Sequence, residues 1–211
     1  MKTIYLNSVD STHTYLKDYI KKNSYIQPLA IVTTNQTDGI GSRSNHWEGK
    51  KGNLFFSFVI SKNDLPSDLP IQSASIYFSF ILKEILASLS SKIWLKWPND
   101  FYIANKKIGG TITSFNGKLL FCGIGLNLYY INDNFGFLDI KIDIKEVLDR
   151  YFSTLEQKIL WKHIFSKYVI EFKKNRSFKV TIDSKKVSLT DAKLNDDGSI
   201  QIKDKKVYSL R

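Results

Sequence analysis

The chain has 211 residues, 43% of them hydrophobic, and a formal net charge of +11 at pH 7. This length and composition are enough for a full core and argue against disorder of the whole chain. The sequence contains no run of eighteen apolar residues and no apolar stretch at its start, which argues against a membrane span and a secretory signal. The single cysteine, Cys122, precludes an internal disulfide, so we expect it in the core of a cytoplasmic protein.

The excess of basic residues has two explanations. Lysines recur along the whole sequence, which is typical of a solvated surface, but a basic protein can also attract nucleic acid, a membrane surface or an acidic protein. The sequence shows no Arg-rich helix, helix-turn-helix or zinc-finger pattern, so sequence-specific DNA binding is not expected. A basic module that stacks nucleic-acid bases on its aromatic side chains stays an alternative.

The first part of the chain alternates strand and helix patterns. Asp10, Ser11 and Thr12 offer N-cap side chains for a helix that ends near Lys22. The strongly apolar run at 54–60 predicts a strand with both faces covered. Together the patterns predict strands at 2–8, 29–32 and 54–60, a polar loop at 35–49, and helices at 11–22 and 71–89.

The second part begins with strands and ends in a small strand-rich tail. An Asn116-Gly117 pair predicts a tight hairpin, and a helical segment at 144–173 is expected to break near Ser153. We therefore predict an α+β fold, a mixed β-sheet flanked by helices, with a catalytic domain at 1–174 and a small β domain at 175–211. The predicted strands are 93–97, 101–104, 107–115, 119–129, 178–182, 185–189, 199–202 and 206–209.

The most informative pattern lies in the middle of the chain. Segment 96–100, Lys-Trp-Pro-Asn-Asp, follows an apolar strand that Pro98 cannot continue, and segment 107–110, Lys-Ile-Gly-Gly, comes shortly after it. The glycine pair allows the backbone to approach a ligand closely. Two ammonium groups, an amide and uncovered backbone suit a compact anion such as a carboxylate or a phosphate.

The polar loop contains a second candidate for ligand binding. Segment 36–47 bears two glycines whose N–H groups could face a ligand, and it ends in Trp47. Arg43 could hold phosphate through two hydrogen bonds, and Trp47 could stack on a base or cover an apolar tail. The alternative is a surface loop that the tryptophan anchors to the core.

Five segments together resemble the biotin protein ligases. Segment 96–100 reads as that family's K-W-P-N-D, 107–110 as its K-[IL]-[AG]-G, and 123–127 as its G-[IV]-G-[IL]-N. Segment 10–12 matches the start of its D-S-T-N, with His13 in place of the asparagine, and 36–47 falls on its biotin- and adenylate-binding loop. The resemblance covers residues 4 to about 130, and the tail from Ser177 is similar in kind to the family's SH3-like domain.

The resemblance implies a ligase reaction in two steps. The biotin carboxylate attacks the α-phosphate of ATP to give biotinoyl-5′-AMP and pyrophosphate, and a lysine of biotin carboxyl carrier protein then displaces AMP. Mg²⁺ is expected to arrive with ATP, since the sequence offers no cluster of metal-binding side chains. Lys96 is expected as the catalytic cation beside the carboxylate and the α-phosphate, and Arg43 as the contact of the triphosphate.

The same resemblance implies the binding residues, two of which have structural alternatives. Ser11 could serve only as a helix cap, and Asn127 could be a turn residue. Biotin is expected at Ser11, Thr12, His13, Gln36, Gly39, Ile40, Gly41, Ser42, Lys96, Gly109 and Gly110. The adenylate is expected at Arg43, Trp47, Asn99, Lys107, Ile108 and Asn127.

The sequence also departs from the family pattern. Ile40, Ser42 and Asn45 stand where many relatives have arginine, which leaves Arg43 and a nearby lysine for the triphosphate. No winged helix-turn-helix precedes the catalytic pattern, so we expect no DNA partner. A membrane partner is not expected either, because the sequence has no long apolar run, and a homodimer stays open. Lipoate ligases and octanoyltransferases share the catalytic fold and are the alternative function.

Overall fold

A computed structural model describes residues 1–41, 46–47, 49–183 and 185–208. The first half contains β1 (Lys2–Leu6), α1 (Thr12–Asn23), β2 (Leu29–Thr33), β3 (Gly39–Ile40), β4 (His46–Trp47), β5 (Leu54–Ser61) and α2 (Ala74–Ser88). The second half contains β6 (Trp94–Lys96), β7 (Asp100–Ile103), β8 (Lys106–Asn116), β9 (Leu119–Leu126), α3 (Ile144–Glu156) and α4 (Trp161–Phe172). The tail contains β10 (Lys179–Ile182), β11 (Lys185–Ser188), β12 (Lys193–Leu194), β13 (Ile200–Ile202) and β14 (Lys205–Val207).

Seven strands form a mixed sheet in the order β1-β2-β5-β9-β8-β7-β6. β1 and β2 run parallel and are joined through α1, because a parallel pair needs a crossover connection. The other neighbouring strands of this sheet pair antiparallel. The β8–β9 hairpin turns at Gly117, whose φ of 59° suits glycine, as the Asn-Gly pair predicted. The predicted fold class, a mixed sheet flanked by helices, is confirmed.

The two faces of the sheet carry separate cores, because successive residues of a strand point to opposite sides. On one face, Phe56 and Phe58 of β5 join the large core that α2, α3 and α4 cover. On the other face, Val59 packs with Leu16 of α1 and Ile31 of β2. The prediction that both faces of the apolar strand at 54–60 are covered is therefore confirmed.

The helical segment of the second half breaks later than the sequence predicted. α3 ends at Glu156 and α4 begins at Trp161, whereas the pattern placed the break near Ser153. The Asp68 carboxylate accepts hydrogen bonds from the backbone N–H of Trp161 (2.8 Å) and of the next residue (3.1 Å). A side chain from a distant loop thus caps α4, which no local pattern indicates.

The tail forms two small sheets, β10-β11 and β12-β13-β14, of which the short β12 was not predicted. Val180 and Ile200 of this tail belong to the large core of the main sheet. The Trp97 indole N–H also donates to the carbonyl of Gly198 (2.9 Å). The strand-rich tail agrees with the predicted small β domain, while the division at 174/175 stays a prediction because the core runs across it.

Within the described ranges, none of the helices combines the length and the apolar character that a membrane crossing requires.

Candidate active site

A cleft of about 330 Å³ lies over one face of the main sheet, beside the start of α1 and the ribbon that β3 and β4 form. Its floor consists of two rows of paired residues that run across the strands. Ser57, Gly123 and Ile112 form one row, and Phe55, Gly125, Gly110 and Asp100 form the other. The lining residues are Ser11, Thr12, His13, Gln36, Ile40, Gly41, Trp47, Phe55, Ser57, Asn99, Asp100, Lys107, Gly110, Thr111, Ile112, Gly123, Ile124, Gly125, Asn127 and Phe135.

One end of the cleft is a buried, uncharged polar cluster. The Gln36 carbonyl oxygen accepts hydrogen bonds from the backbone N–H of Thr12 (2.9 Å) and from its hydroxyl (3.2 Å). The Thr12 hydroxyl also lies 2.9 Å from the hydroxyl of Ser57. Ser11 caps α1, since its hydroxyl accepts from the backbone N–H of Thr14 (3.4 Å), and it also lines the cleft. These groups can both donate and accept hydrogen bonds, which suits a neutral polar ligand group.

His13 contributes an imidazole that is neutral at physiological pH. Its Nε2 atom lies 3.3 Å from the Ser114 hydroxyl, and its Nδ1 atom is buried with no hydrogen-bond partner among the described residues. Burial, assisted by the nearby ammonium of Lys17, lowers the pKa of His13 to about 4. A buried polar atom without a partner costs stability, so Nδ1 marks a place where a ligand would restore a hydrogen bond.

The other end of the cleft carries a cation. Lys107 Nζ lies 2.7 Å from the Asp100 carboxylate and 5.5 Å from the centre of the Trp47 ring. Asn99, the residue before Asp100, is held by Thr111, whose backbone N–H donates to the Asn99 carbonyl (2.9 Å). An anchored ammonium beside open backbone suits an anionic ligand group.

A β-bulge turns Lys107 toward the cleft. In β8, Gly109 pairs with Phe101 and Lys107 pairs with Tyr102, so Ile108 has no partner in β7. Strict alternation would place Lys107 and Gly110 on opposite faces, but the extra residue brings both to the face that carries the cleft. Ile108 itself is fully buried in the large core.

The β3–β4 ribbon closes over the cleft at a glycine. Gly39 pairs with Trp47, and a Cβ atom on Gly39 would lie 2.5 Å from the Gln36 amide nitrogen and 2.7 Å from the Trp47 carbonyl oxygen. The Trp47 ring packs on Gly125, where a Cβ atom would lie 3.0 Å from it. Its indole N–H is buried and has no partner in the described ranges. The loop prediction at 35–49 missed this ribbon, because its strands are only two residues long.

Asn127 lies at the end of β9, next to the cationic end. Its backbone N–H donates to the Ile108 carbonyl (2.7 Å), and its side-chain amide donates to the Gly136 carbonyl (3.2 Å). The side-chain oxygen is buried and lacks a hydrogen-bond partner within the part of the chain that the structure describes. Asn127 therefore fixes the following turn and still presents one oxygen to a ligand.

The structure brings most of the predicted site residues together. Gly39, Ile108 and Gly109 do not line the cleft in the described part of the chain: Gly39 shapes the ribbon, and the other two face the core. Ser42 and Arg43 lie outside the described residues. The predicted residues that do line the cleft are Ser11, Thr12, His13, Gln36, Ile40, Gly41, Trp47, Asn99, Lys107, Gly110 and Asn127.

Lys96, the expected catalytic cation, is not among the described residues that line the cleft. It lies on β6, the outermost strand of the sheet, opposite Asp100 of β7. Its ammonium is 3.3 Å from the Tyr102 hydroxyl and within 6.0 Å of the centre of the Phe178 ring. Lys96 therefore lies one strand beyond the lining residue Asp100, whereas Lys107 itself lines the cleft, and the role of Lys96 stays a prediction.

Several lining residues were missed by reasoning from the sequence. Ser57 is a single polar residue in an apolar strand, and the sequence alone does not indicate a function for it. Its pairing with Gly123 places it on the floor of the cleft. Asp100 and the glycines at 123 and 125 stand in the motifs that the sequence analysis quoted, but they received no role there. The alternating glycines 123 and 125 place two residues without side chains on one face of β9, and this spacing is the signal that could have found them.

Comparison with known proteins identifies the family of this chain. The sequence model of the biotin/lipoate A/B protein ligase family matches residues 5–127, and the chain belongs to this family. It is similar to the bifunctional ligase/repressor BirA of Bacillus spizizenii (26% identity over 137 residues) and of Escherichia coli (28% over 127 residues). These alignments cover 63% and 57% of this chain but 42% and 38% of the relatives, so the chain spans less than half of their length.

Solved structures share the fold over almost the whole chain. A biotin acetyl coenzyme A carboxylase synthetase from Helicobacter pylori, crystallised with biotinylated ATP, is 39% identical, with a TM-score of 0.93 over 98% of this chain and 99% of that one. A biotin protein ligase from Aquifex aeolicus in complex with biotin and ATP shares the fold at 22% identity, with a TM-score of 0.76 over 100% and 96% of the two chains. The family resemblance inferred from the motifs is confirmed.

Proposed function

We propose that this protein is an ATP-dependent biotin protein ligase. In the first step, a biotin carboxylate oxygen bonds to the α-phosphorus of ATP and the bond to pyrophosphate breaks, which gives biotinoyl-5′-AMP. In the second step, the neutral amine of an acceptor lysine bonds to the activated carbonyl carbon, AMP leaves and the nitrogen loses a proton. The observation that carries the proposal is a single cleft with an uncharged polar cluster at one end and an ammonium at the other.

The uncharged end matches the ureido ring of biotin, which offers one carbonyl and two N–H groups. Thr12, Ser57 and Gln36 supply hydroxyls and an amide, and His13 Nδ1 supplies a further buried group. Both hydroxyls and the amide lie within one connected hydrogen-bond cluster, so they can exchange internal bonds for bonds to the ring. A lipoate dithiolane or an octanoate chain offers this cluster no hydrogen-bonding group and would leave His13 Nδ1 without a partner, which disfavours the alternative substrates.

The charged end matches the carboxylate. We assign to Lys107 the role that sequence reasoning gave to Lys96: its ammonium faces the biotin carboxylate and then the negative oxygens that develop around the α-phosphate. Gly110 lies next to this ammonium, and a Cβ atom there would be 3.6 Å from Nζ. Because Gly110 has no side chain, the tail of biotin and a phosphate can approach the backbone there.

The nucleotide is placed beyond Lys107, along Trp47, Asn99 and Asn127. The unpartnered indole N–H of Trp47 and the unpartnered oxygen of Asn127, both judged within the described residues, suit a polar ligand in this part of the cleft. Mg²⁺ bound with ATP would neutralise phosphate charge, and the side-chain oxygen of Asn127 is a hard donor that could help to hold it. The contacts proposed for Ser42 with biotin and for Arg43 with the triphosphate stay predictions.

The acceptor is proposed to be the lysine of a biotin carboxyl carrier protein. The net charge of +11 favours an acidic acceptor domain through long-range attraction. A cytoplasmic location and the absence of DNA binding are further predictions that rest on the sequence, which leaves a homodimer open.

A pyrophosphate-release assay tests the function. With ATP and Mg²⁺, we expect release that depends on biotin, no release with lipoate or octanoate, and addition of biotin to one lysine of a purified carrier domain, measured by mass spectrometry. Release with lipoate but not with biotin would overturn the proposal in favour of the alternative ligase.

A further inference from the structure

The outer edge of β6 is held by two buried side chains. β6 is the last strand of the main sheet and pairs with β7 on one side only. On its other side, the Glu171 carboxylate accepts a hydrogen bond from the backbone N–H of Leu95 (2.8 Å). The Asn175 side chain accepts from the backbone N–H of Trp97 (2.6 Å) and donates to the carbonyl of Leu95 (3.2 Å). Together they take the place of a further strand.

Both side chains are buried, which makes these contacts specific. Asn175 is fully buried, and Glu171 is 7% exposed. The second carboxylate oxygen of Glu171 lies 2.6 Å from the ammonium of Lys83. Edge protection alone could be achieved by a charged surface residue. Two buried polar groups aimed at consecutive backbone sites instead fix the position of the strand, because each would lose its partner if β6 moved.

The segment that follows β6 leads directly into the cleft. Trp97 is followed within three residues by Asn99 and Asp100, and both line the cleft. The Asn99 side-chain amide donates to the carbonyl of Thr111, and the Thr111 backbone N–H donates back to the Asn99 carbonyl (2.9 Å). Asp100 in turn holds the ammonium of Lys107 at 2.7 Å. A displacement of Trp97 therefore reaches Lys107 along the backbone to Asp100 and then through the Asp100 carboxylate.

We propose that Asn175 and Glu171 are positioning residues for the cationic end of the cleft. They fix the end of β6 so that Asp100 holds the Lys107 ammonium where a substrate carboxylate arrives. This inference rests on the proposed function, since it takes biotin as the carboxylate. The uncharged end, built on α1, β5 and Gln36, has no part in this chain of contacts and should not respond to it.

The test compares biotin with its neutral alcohol analogue, in which a CH₂OH group replaces the carboxylate. Both ligands use the uncharged end, and only biotin uses the ammonium, so the ratio of their dissociation constants reports on Lys107. Isothermal titration calorimetry would measure this ratio for the unmodified protein, Asn175→Ala, Glu171→Met and Glu171→Gln. The glutamine variant keeps an oxygen acceptor for the Leu95 N–H, and Lys83 keeps its contact with Glu84 (3.1 Å).

A control variant separates positioning from general loss of stability. Tyr77→Phe removes the hydrogen bond from the Tyr77 hydroxyl to the Ile159 carbonyl (2.9 Å), which joins α2 to the segment before α4 away from the cleft. Thermal unfolding of every variant would establish that each is folded at the assay temperature. If Asn175→Ala does not fold, the other two variants provide the test. A lower preference for biotin in Glu171→Met than in Glu171→Gln would support the inference, and equal preferences would overturn it.

The expected result is a preference for biotin over the alcohol that falls about tenfold in Asn175→Ala and about threefold in Glu171→Met. The affinity for the alcohol should stay within about twofold in all variants, and the preference should persist in Glu171→Gln and Tyr77→Phe. An unchanged preference in both Asn175→Ala and Glu171→Met would overturn the inference. If the unmodified protein showed no preference for biotin, Lys107 would not face the carboxylate and the inference would be overturned; if it bound neither ligand, the proposed function itself would fail.

Discussion

Lys107 and Asp100 form an ion pair of 2.7 Å across neighbouring strands, inside the cleft that the two glycine-bearing rows of the sheet create. This pair places a fixed ammonium opposite an uncharged polar cluster around Thr12 and Gln36. The distance between the two ends of the cleft is spanned by Gly110, Gly125 and Gly123, which leave room for a ligand along the floor. The arrangement defines the orientation in which biotin would bind.

The first prediction concerns the identity of the catalytic cation. Lys107→Met removes the charge but keeps much of the side-chain volume, so we expect biotin-dependent pyrophosphate release to fall about hundredfold. Lys96→Met is the matched control, since it removes a lysine, and with it the ammonium contact to the Tyr102 ring, from the outermost strand β6. Its rate should stay within about threefold. The reverse ranking of the two variants would return the catalytic role to Lys96.

The second prediction concerns the ribbon over the cleft. In Gly39→Ala, the added methyl group meets the Gln36 amide and the Trp47 carbonyl at 2.5 and 2.7 Å, so the ribbon or Gln36 must move. We expect the dissociation constant for biotin to rise about tenfold or more while the protein stays folded. In the control Gly117→Asn, asparagine tolerates the left-handed conformation of this turn and no atom lies within 4 Å of the new Cβ.

The control should bind biotin as the unmodified protein does. Calorimetric titration of both variants with biotin makes the comparison. Equal affinities for Gly39→Ala and Gly117→Asn would show that the ribbon has no part in binding.

The third prediction concerns pH and follows from the burial of His13. Its pKa is about 4 in the folded protein, below the ordinary value of 6.5, so the unfolded chain binds the proton more readily. Stability from this residue is fully present above pH 6.5 and is lost as the pH falls toward 4. Between pH 7.5 and pH 4.5, His13 should lower the free energy of unfolding by about 2 kcal/mol.

Urea unfolding at both pH values measures this loss. In His13→Asn, which keeps a polar side chain but does not titrate, the drop between the two pH values should be smaller by that amount. The same drop in both proteins would mean that His13 takes up its proton as readily folded as unfolded.

The fourth prediction concerns the acceptor. If the basic surface attracts an acidic carrier domain, then added salt should screen that attraction and slow the transfer of biotin to the carrier. Adenylate synthesis takes place within the cleft between small molecules and should respond less. Rates of both steps, measured between about 50 and 500 mM KCl, test this difference. Equal salt dependence of the two steps would remove the role of surface charge.

Much of the fold was predictable from local patterns. The apolar run at 54–60, the Asn-Gly turn and the helix that Ser11 caps each depend on neighbouring residues, and each was found where the sequence placed it. The break before Trp161 was misplaced because Asp68, far away in sequence, supplies the cap. Such long-range contacts leave no periodic signal in the sequence.

The site was predictable in composition but not in arrangement. Motif resemblance found both Lys96 and Lys107. That Lys107 lines the cleft depends on a bulge at Ile108, which the pairing register of β7 and β8 shows and which strict alternation along the sequence would not predict. Ser57 became part of the site only through its pairing with Gly123. Side-chain direction in a sheet depends on register, and register depends on contacts across the whole fold.

A crystal structure of the protein with biotin and a non-hydrolysable ATP analogue tests the central claim most directly. We expect the ureido ring among Thr12, Gln36 and Ser57, and the carboxylate within hydrogen-bonding distance of Lys107 Nζ. A carboxylate bound to Lys96 instead, or a biotin molecule outside this cleft, would contradict the proposed mechanism.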